Sequence, residues 1–338
     1  MIRSVWHILT RTLPKIVLCG LLVVLVAAFF FLKGTTKPLV QILRFSDEYY
    51  FWDEAKRAKE RFPSISDPAT VSLSVIIPAY NEENRLPKML EECIEYLHSR
   101  QKTNRDFTFE IIVVDDGSRD KTHEVAMGYS ARLGSDCFRV LKLAQNRGKG
   151  GAIRLGVSSC RGKLILFADA DGASRFSDLD HLEEKLPSGR SEAIAVGSRA
   201  HLESRAVAER SMFRTFLMRG FHFLVFLCGV TDIKDTQCGF KLFTRPAAKM
   251  CFCNMHVERW AFDIELLYIA ETFNIDIHEV AVNWQEIEGS KIIPVFSWLQ
   301  MAIDILRIRI FYLLALWKMD KSSTGNFQDP RAKQHHSD

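Results

Sequence analysis

Asp169 and Asp171 stand one residue apart in Asp169-Ala-Asp171-Gly172, directly after the apolar run Leu164–Ala168. Side chains alternate along a strand, so carboxylates at i and i+2 project to the same side. Such a pair can grip a hard divalent cation and, through it, the phosphates of a nucleotide. Alone, the motif is no more than an acidic turn. Three other segments give it weight: Ile76-Ile77-Pro78-Ala79-Tyr80-Asn81-Glu82, Val113-Val114-Asp115-Asp116-Gly117-Ser118 and Asn146-Arg147-Gly148-Lys149-Gly150-Gly151-Ala152. Each follows a short apolar strand and opens a polar helix start.

Four such segments can act together only if the fold brings their strand ends to one place. Apolar runs at Leu73–Ile77, Glu110–Val114, Phe138–Leu143, Leu164–Ala168 and Ala193–Gly197 alternate with helical patterns at Leu86–Arg100, Lys121–Leu133, Gly150–Ser158 and Leu179–Leu186. That alternation predicts an α/β fold, a mostly parallel sheet with helices on both faces. In such sheets ligands bind at the carboxyl ends of the strands. All four motifs fall there.

A chain of 338 residues, 47% hydrophobic and 25% charged, can bury a substantial core. Its net charge of +4 gives no footing for a nucleic-acid partner. Cys251-x-Cys253 lacks the second pair that a zinc site needs, and the remaining cysteines are scattered, as in reduced cytosol-facing proteins. Ile16–Leu32 is uncharged and apolar between Lys15 and Lys33, and is read as a retained membrane anchor rather than a cleaved leader. Flanking charges balance and leave its orientation open. The expected organisation is an anchor over 1–33, a juxtamembrane stalk over 34–70 with a helix near Glu48–Arg61, a catalytic domain over 71–290, an amphipathic membrane-associated helix over 291–318 and a disordered tail over 319–338. Ala206–Val230 and Phe296–Trp317 read as long helices, the second with Gln300, Asp304 and Arg307 as one polar stripe. They could pack on the sheet or lie in the membrane surface.

Taken in order, these motifs resemble the inverting family 2 glycosyltransferases of the GT-A fold, and within them the dolichyl-phosphate β-glucosyltransferases. Pro-x-Tyr-Asn-Glu, Asp-Asp-Gly-Ser and Asp-x-Asp carry the broad likeness. Gly197-Ser-Arg-Ala-His201, Thr236-Gln-Cys-Gly-Phe-Lys241 and Glu258-Arg-Trp-Ala-Phe-Asp263 carry the narrower one. The resemblance implies glucose transfer from UDP-glucose to dolichyl phosphate with inversion. It also implies Mg²⁺ or Mn²⁺ as cofactor, and a lipid bilayer, that of the endoplasmic reticulum, with the catalytic domain facing the cytosol. Arg259-Trp260 matches part of the Gln-x-x-Arg-Trp signature of processive polysaccharide synthases. His256 stands where the glutamine belongs, and no multi-span channel follows.

Expected roles follow. Asp171 is the first choice as metal ligand, and Asp169 assists it or binds ribose. Asp115 and Asp116 accept from the base or ribose, with Pro78, Tyr80 and Glu82 beside them. The Gly148–Gly151 turn opens a helix whose amino end favours anions, and Arg147 and Lys149 add positive charge. Gln237, Lys241 and Asp263 line the substrate pockets. A phosphate acceptor is already largely ionised at neutral pH, so cations rather than a general base should serve it. Arg199, Arg210 and Arg214 are the candidates to clamp it, Arg210 and Arg214 lying i, i+4 on one helical face. The alternatives are a dolichyl- or polyprenyl-phosphate mannosyltransferase using GDP-mannose, and an inactive membrane-tethered binding subunit.

Overall fold

The computed structural model describes residues 13–186, 192–202, 220, 233–287 and 296–328. Seven strands form the central sheet: β4 (Val71–Ala79), β5 (Phe109–Asp115), β6 (Phe138–Lys142), β7 (Gly162–Ala168), β8 (Ala193–Ser198), β9 (Phe240–Thr244) and β10 (Asp276–Ala281). Their spatial order is β10-β8-β9-β7-β4-β5-β6, and β9 alone runs antiparallel to its neighbours β7 and β8. The strands predicted from apolar runs are present, and β9 and β10 extend the sheet beyond them. Central strands such as β5 are buried along their whole length, as a sheet covered on both faces requires.

Helices α2 (Leu86–Thr103), α3 (Thr122–Leu133), α4 (Lys149–Ser158), α5 (Leu179–Lys185), α6 (Arg245–Asn254) and α7 (Phe262–Thr272) cover the sheet. Two apolar cores result, one on each side. Leu73, Val75 and Ile77 pack with α2, while Ile76, Ile112 and Val114 pack with α4, α6 and α7. The alternation along β4 assigns neighbouring residues to opposite cores.

Before the sheet, α1 (Leu13–Thr35) is the one helix among the described residues that is long and apolar enough to cross a membrane. The expected stalk is instead folded onto the catalytic body. In place of a helix near Glu48–Arg61, β2 (Tyr50–Asp53) and β3 (Ala58–Arg61) form an antiparallel hairpin. The run Ala55-Lys-Arg-Ala-Lys-Glu-Arg has good helix formers, but tertiary contacts override them. The Phe51 and Phe62 rings meet at 5.0 Å, tilted by 60°, and Asp53 accepts the Ala55 and Lys56 N–H groups of the turn and the Ser135 hydroxyl. Buried Arg44 donates to the Glu48 carbonyl at 2.8 Å and to Ser159 Oγ at 2.7 Å.

Within the tail expected to be disordered, the described residues 319–328 are instead folded onto the body. Asp320 N–H donates to Asn254, and β11 (Phe327–Gln328) pairs in parallel with β1 (Ile42–Leu43). Residues 329–338 and the 206–219 and 221–230 parts of the first long helix lie outside the described residues. The second is α8 (Phe296–Leu313), which buries Met301, Ile305 and Ile308 and exposes Leu299, Ile303, Leu306 and Ile310.

Candidate active site

Where the carboxyl end of β7 meets the amino end of the antiparallel β9, charge is arranged in alternation. Lys149, the first residue of α4, places Nζ 2.6 Å from Asp169 Oδ1. Lys241 on β9 places its Nζ 2.6 Å from Asp263 Oδ1. Burial alone would lower the Lys149 ammonium, but the carboxylates of Asp169 and Asp263 outweigh it and hold it above its ordinary range. The backbone of Gly239 lies so close to Asp169 that a Cβ there would fall 1.9 Å from Oδ2. Asp171 is half-buried, and its Oδ1 accepts the Ala173 N–H at 3.0 Å. Burial, and then the neighbouring Asp169 charge, raise its carboxyl. Two carboxylates this close are eased by added positive charge. Among the described residues no group of three or more His, Cys, Asp or Glu side chains could hold a metal. A cation here therefore needs oxygens from a ligand as well.

The strand-end turns after β4 and β5 are tied together. Asn81 N–H donates to Ser118 Oγ, and Asn81 Oδ1 accepts the Arg119 N–H. Pro78 and Tyr80 stay partly exposed beside them. Glu82 is committed to Arg85, which it holds through two bonds of 2.6 and 2.7 Å. Arg85 also feels the Asp171 and Asp169 charges. The sequence reading missed Arg85, although Glu82-x-x-Arg85 is the i, i+3 spacing at a helix start. Asp115 Oδ1 accepts the Ser118 N–H, while Oδ2 is buried without a hydrogen-bond partner, 3.5 Å from His123 Nδ1, which also lacks one.

Several expected ligand contacts prove to be internal supports. Both oxygens of Asp116 are occupied by the glycine turn, accepting Arg147 N–H at 2.7 Å and Gly148 N–H at 2.9 Å. Burial pushes its carboxyl up to about 6 against that pair of donors. Arg147 points inward, where its guanidinium meets Glu258 and the Leu43 carbonyl. Arg154 joins the same Glu258 carboxylate. The glycines permit an approach to the protein's own backbone: a Cβ on Gly150 would fall 2.5 Å from Phe262 Cβ. Lys241 is fully buried between Asp263 and the Cys238 carbonyl, and Asp263 is buried with it. Neither lines an open pocket; they fix the floor beneath Asp169 and Lys149. Gln237 donates to Met301 Sδ on α8. Arg199 grips Asp235 through Nε at 2.7 Å and Nη2 at 2.8 Å, and Asp235 holds its guanidinium above the ordinary range despite burial. Arg210 and Arg214 lie outside the described residues.

With this geometry in place, likeness to other proteins becomes informative. The glycosyl transferase family 2 profile matches residues 74–252. The dolichyl-phosphate β-glucosyltransferase of Homo sapiens is 55% identical over 296 residues, 86% of this chain and 91% of that protein. The chain belongs to this family. The transferase is also 42% identical to the Saccharomyces cerevisiae dolichyl-phosphate β-glucosyltransferase, over 79% of this chain and 83% of that one. Among solved structures, glucosyl-3-phosphoglycerate synthase of Mycobacterium tuberculosis in complex with Mg²⁺ and UDP superposes with a TM-score of 0.51 at 16% identity, covering 72% of this chain and 79% of that one. That likeness establishes the GT-A fold.

Proposed function

We propose that this transferase moves glucose from UDP-glucose to dolichyl phosphate with inversion, using the strand-end cluster around Lys149, Asp169 and Asp171. The observation that carries the reading is the Lys149–Asp169 pair at 2.6 Å beside Asp171, at the carboxyl ends of the sheet. Asp171, with Asp169, would hold Mg²⁺ or Mn²⁺ in company with the donor's phosphate oxygens. The cation would supply the positive charge that lets UDP leave without a proton donor. Both metals accompany UDP in the mycobacterial synthase structures. The hard-oxygen donor set, crowded enough to raise Asp171, fits either ion.

The remaining work falls to the chain's own groups. Lys149 can pass from Asp169 to the incoming diphosphate as cation and donor arrive together. Asp115 Oδ2, buried and unpartnered, is the acceptor available to a base N–H. Asp116 fixes the glycine turn that carries Lys149. Arg199, oriented by Asp235, and Arg210 and Arg214 are the groups we assign to the acceptor phosphate. Asp263 is held by Lys241 and takes no proton from the acceptor, whose phosphate is already ionised.

We assign this site to a bilayer surface, with the catalytic body on the cytosolic side of the endoplasmic reticulum; the exposed apolar stripe of α8 and the apolar helix α1 support that reading. Purified full-length protein incubated with dolichyl phosphate, Mg²⁺ and either UDP-glucose or GDP-mannose tests the reading. Lipid-linked glucose should form from the first donor alone. Transfer from GDP-mannose instead would reassign the donor site.

A further inference from the structure

We propose that the cleft between α8 and the Val257–Arg259 turn binds the phosphate headgroup of a bilayer phospholipid, apart from both substrates. The cleft encloses about 420 Å³, and its lining includes Asn146, His256, Arg259, Asp304, Arg307 and Trp317. None of Asp115, Lys149, Asp169 or Asp171 borders it.

Three observations point to a phosphate. The His256 side chain is only 7% exposed, with Nδ1 taken up by Glu265 and Tyr312. Its Nε2 is buried without a partner among the described residues, an arrangement that proteins seldom leave unanswered. Arg307 lies over Trp317 at 5.3 Å and over Phe311 at 5.1 Å, contacts that orient a guanidinium without using its N–H donors. Arg259 is exposed, and its stem packs over Gly148. Two guanidinium groups and an imidazole nitrogen make a phosphate-binding set. Asp304 sits near both arginines, so the lining suits a headgroup that carries an ammonium beside its phosphate.

The bilayer as source follows from the helix. Gln300, Asp304 and Arg307 border the exposed stripe of Leu299, Ile303, Leu306 and Ile310, along which acyl chains could continue. The assignment rests on α8 lying in the membrane surface, but not on the identity of the donor sugar.

The test uses the full chain in a maltoside detergent, titrated with dihexanoyl phosphatidylethanolamine and followed by calorimetry. Saturable binding is expected, weakened about tenfold or more in Arg307→Gln and again in Arg259→Gln. UDP binding measured in each sample reports an intact fold, and Arg307→Gln carries the test if Arg259→Gln fails to fold. Unchanged affinity in a folded Arg307→Gln variant overturns the proposal. So does equal binding of dihexanoylglycerol, which lacks phosphate, or of inorganic phosphate, which lacks chains. Full displacement by a short polyprenyl phosphate would hand the cleft to the acceptor and equally overturn it. Since no sugar is transferred, these outcomes leave the glucosyltransferase reading untouched.

Discussion

The two ends of the central sheet use the same side chains to opposite effect. At the amino ends, Glu110 on β5 is fully buried and fully answered. It accepts Ser74 Oγ at 2.6 Å, Arg139 at 2.6 Å, and both the N–H and the guanidinium of Arg161. At the carboxyl ends, Asp115 keeps an unpartnered oxygen, and burial with the neighbouring Asp169 charge raises Asp171. Satisfied charge networks stabilise a fold, whereas under-satisfied ones mark where a ligand completes the set.

That contrast is open to direct attack. Asp171→Asn keeps shape and loses charge, so transfer should fall about 10²–10³-fold while the fold persists, as judged by circular dichroism. Activity near wild type would remove Asp171 from the reaction. The mirror experiment is Glu110→Gln, which strands two arginines at the far end. It should lower stability by about 3 kcal/mol in denaturant titration. Turnover per folded molecule should stay unchanged, and a specific loss of turnover would dissolve the distinction between the ends. Lys149→Gln should weaken UDP-glucose about tenfold in calorimetry while leaving dolichyl phosphate dependence alone.

The smallest effect concerns Asp116. Burial raises its carboxyl from 3.8 to about 6, so between those values the folded protein keeps a proton that the unfolded chain releases. The stability contributed by this group is therefore present at low pH and lost as pH climbs toward 6. Asp116→Asn should flatten that part of the pH dependence of the unfolding midpoint. An unaltered slope would place the titration elsewhere.

Arg147 and Lys149 show how far the sequence could be read. Both stand in one glycine-rich turn and look alike in one dimension. Strand-then-helix patterning located the turn correctly, because hydrophobic periodicity is a local property. Which cation faces the Asp169 carboxylate depends on Glu258, more than a hundred residues later, and on the Leu43 carbonyl, which together hold Arg147. Neither partner has a local signal. Lys241 and Asp263 were missed as a buried pair for the same reason. The antiparallel β9 escaped notice because it enters the sheet from a segment that breaks the strand–helix alternation. The β2–β3 hairpin was misread as a helix because its charged run satisfies helical spacing, as the Lys56–Glu60 pair at 3.1 Å shows even within the hairpin.

The β1–β11 pairing also has a mechanical meaning. Ile42 pairs with Phe327 and Leu43 with Gln328, directly between the apolar helix α1 and the catalytic body. A pull along α1 would fall first on this short ladder, which is closed by the Arg44 N–H bond to the Gln328 carbonyl at 2.9 Å. Leu43, inside that clasp, also offers its carbonyl to Arg147 beneath the glycine turn. The clasp would thus act as a strain relief, taking up displacement of α1 before it reaches a site that works at ångström tolerances.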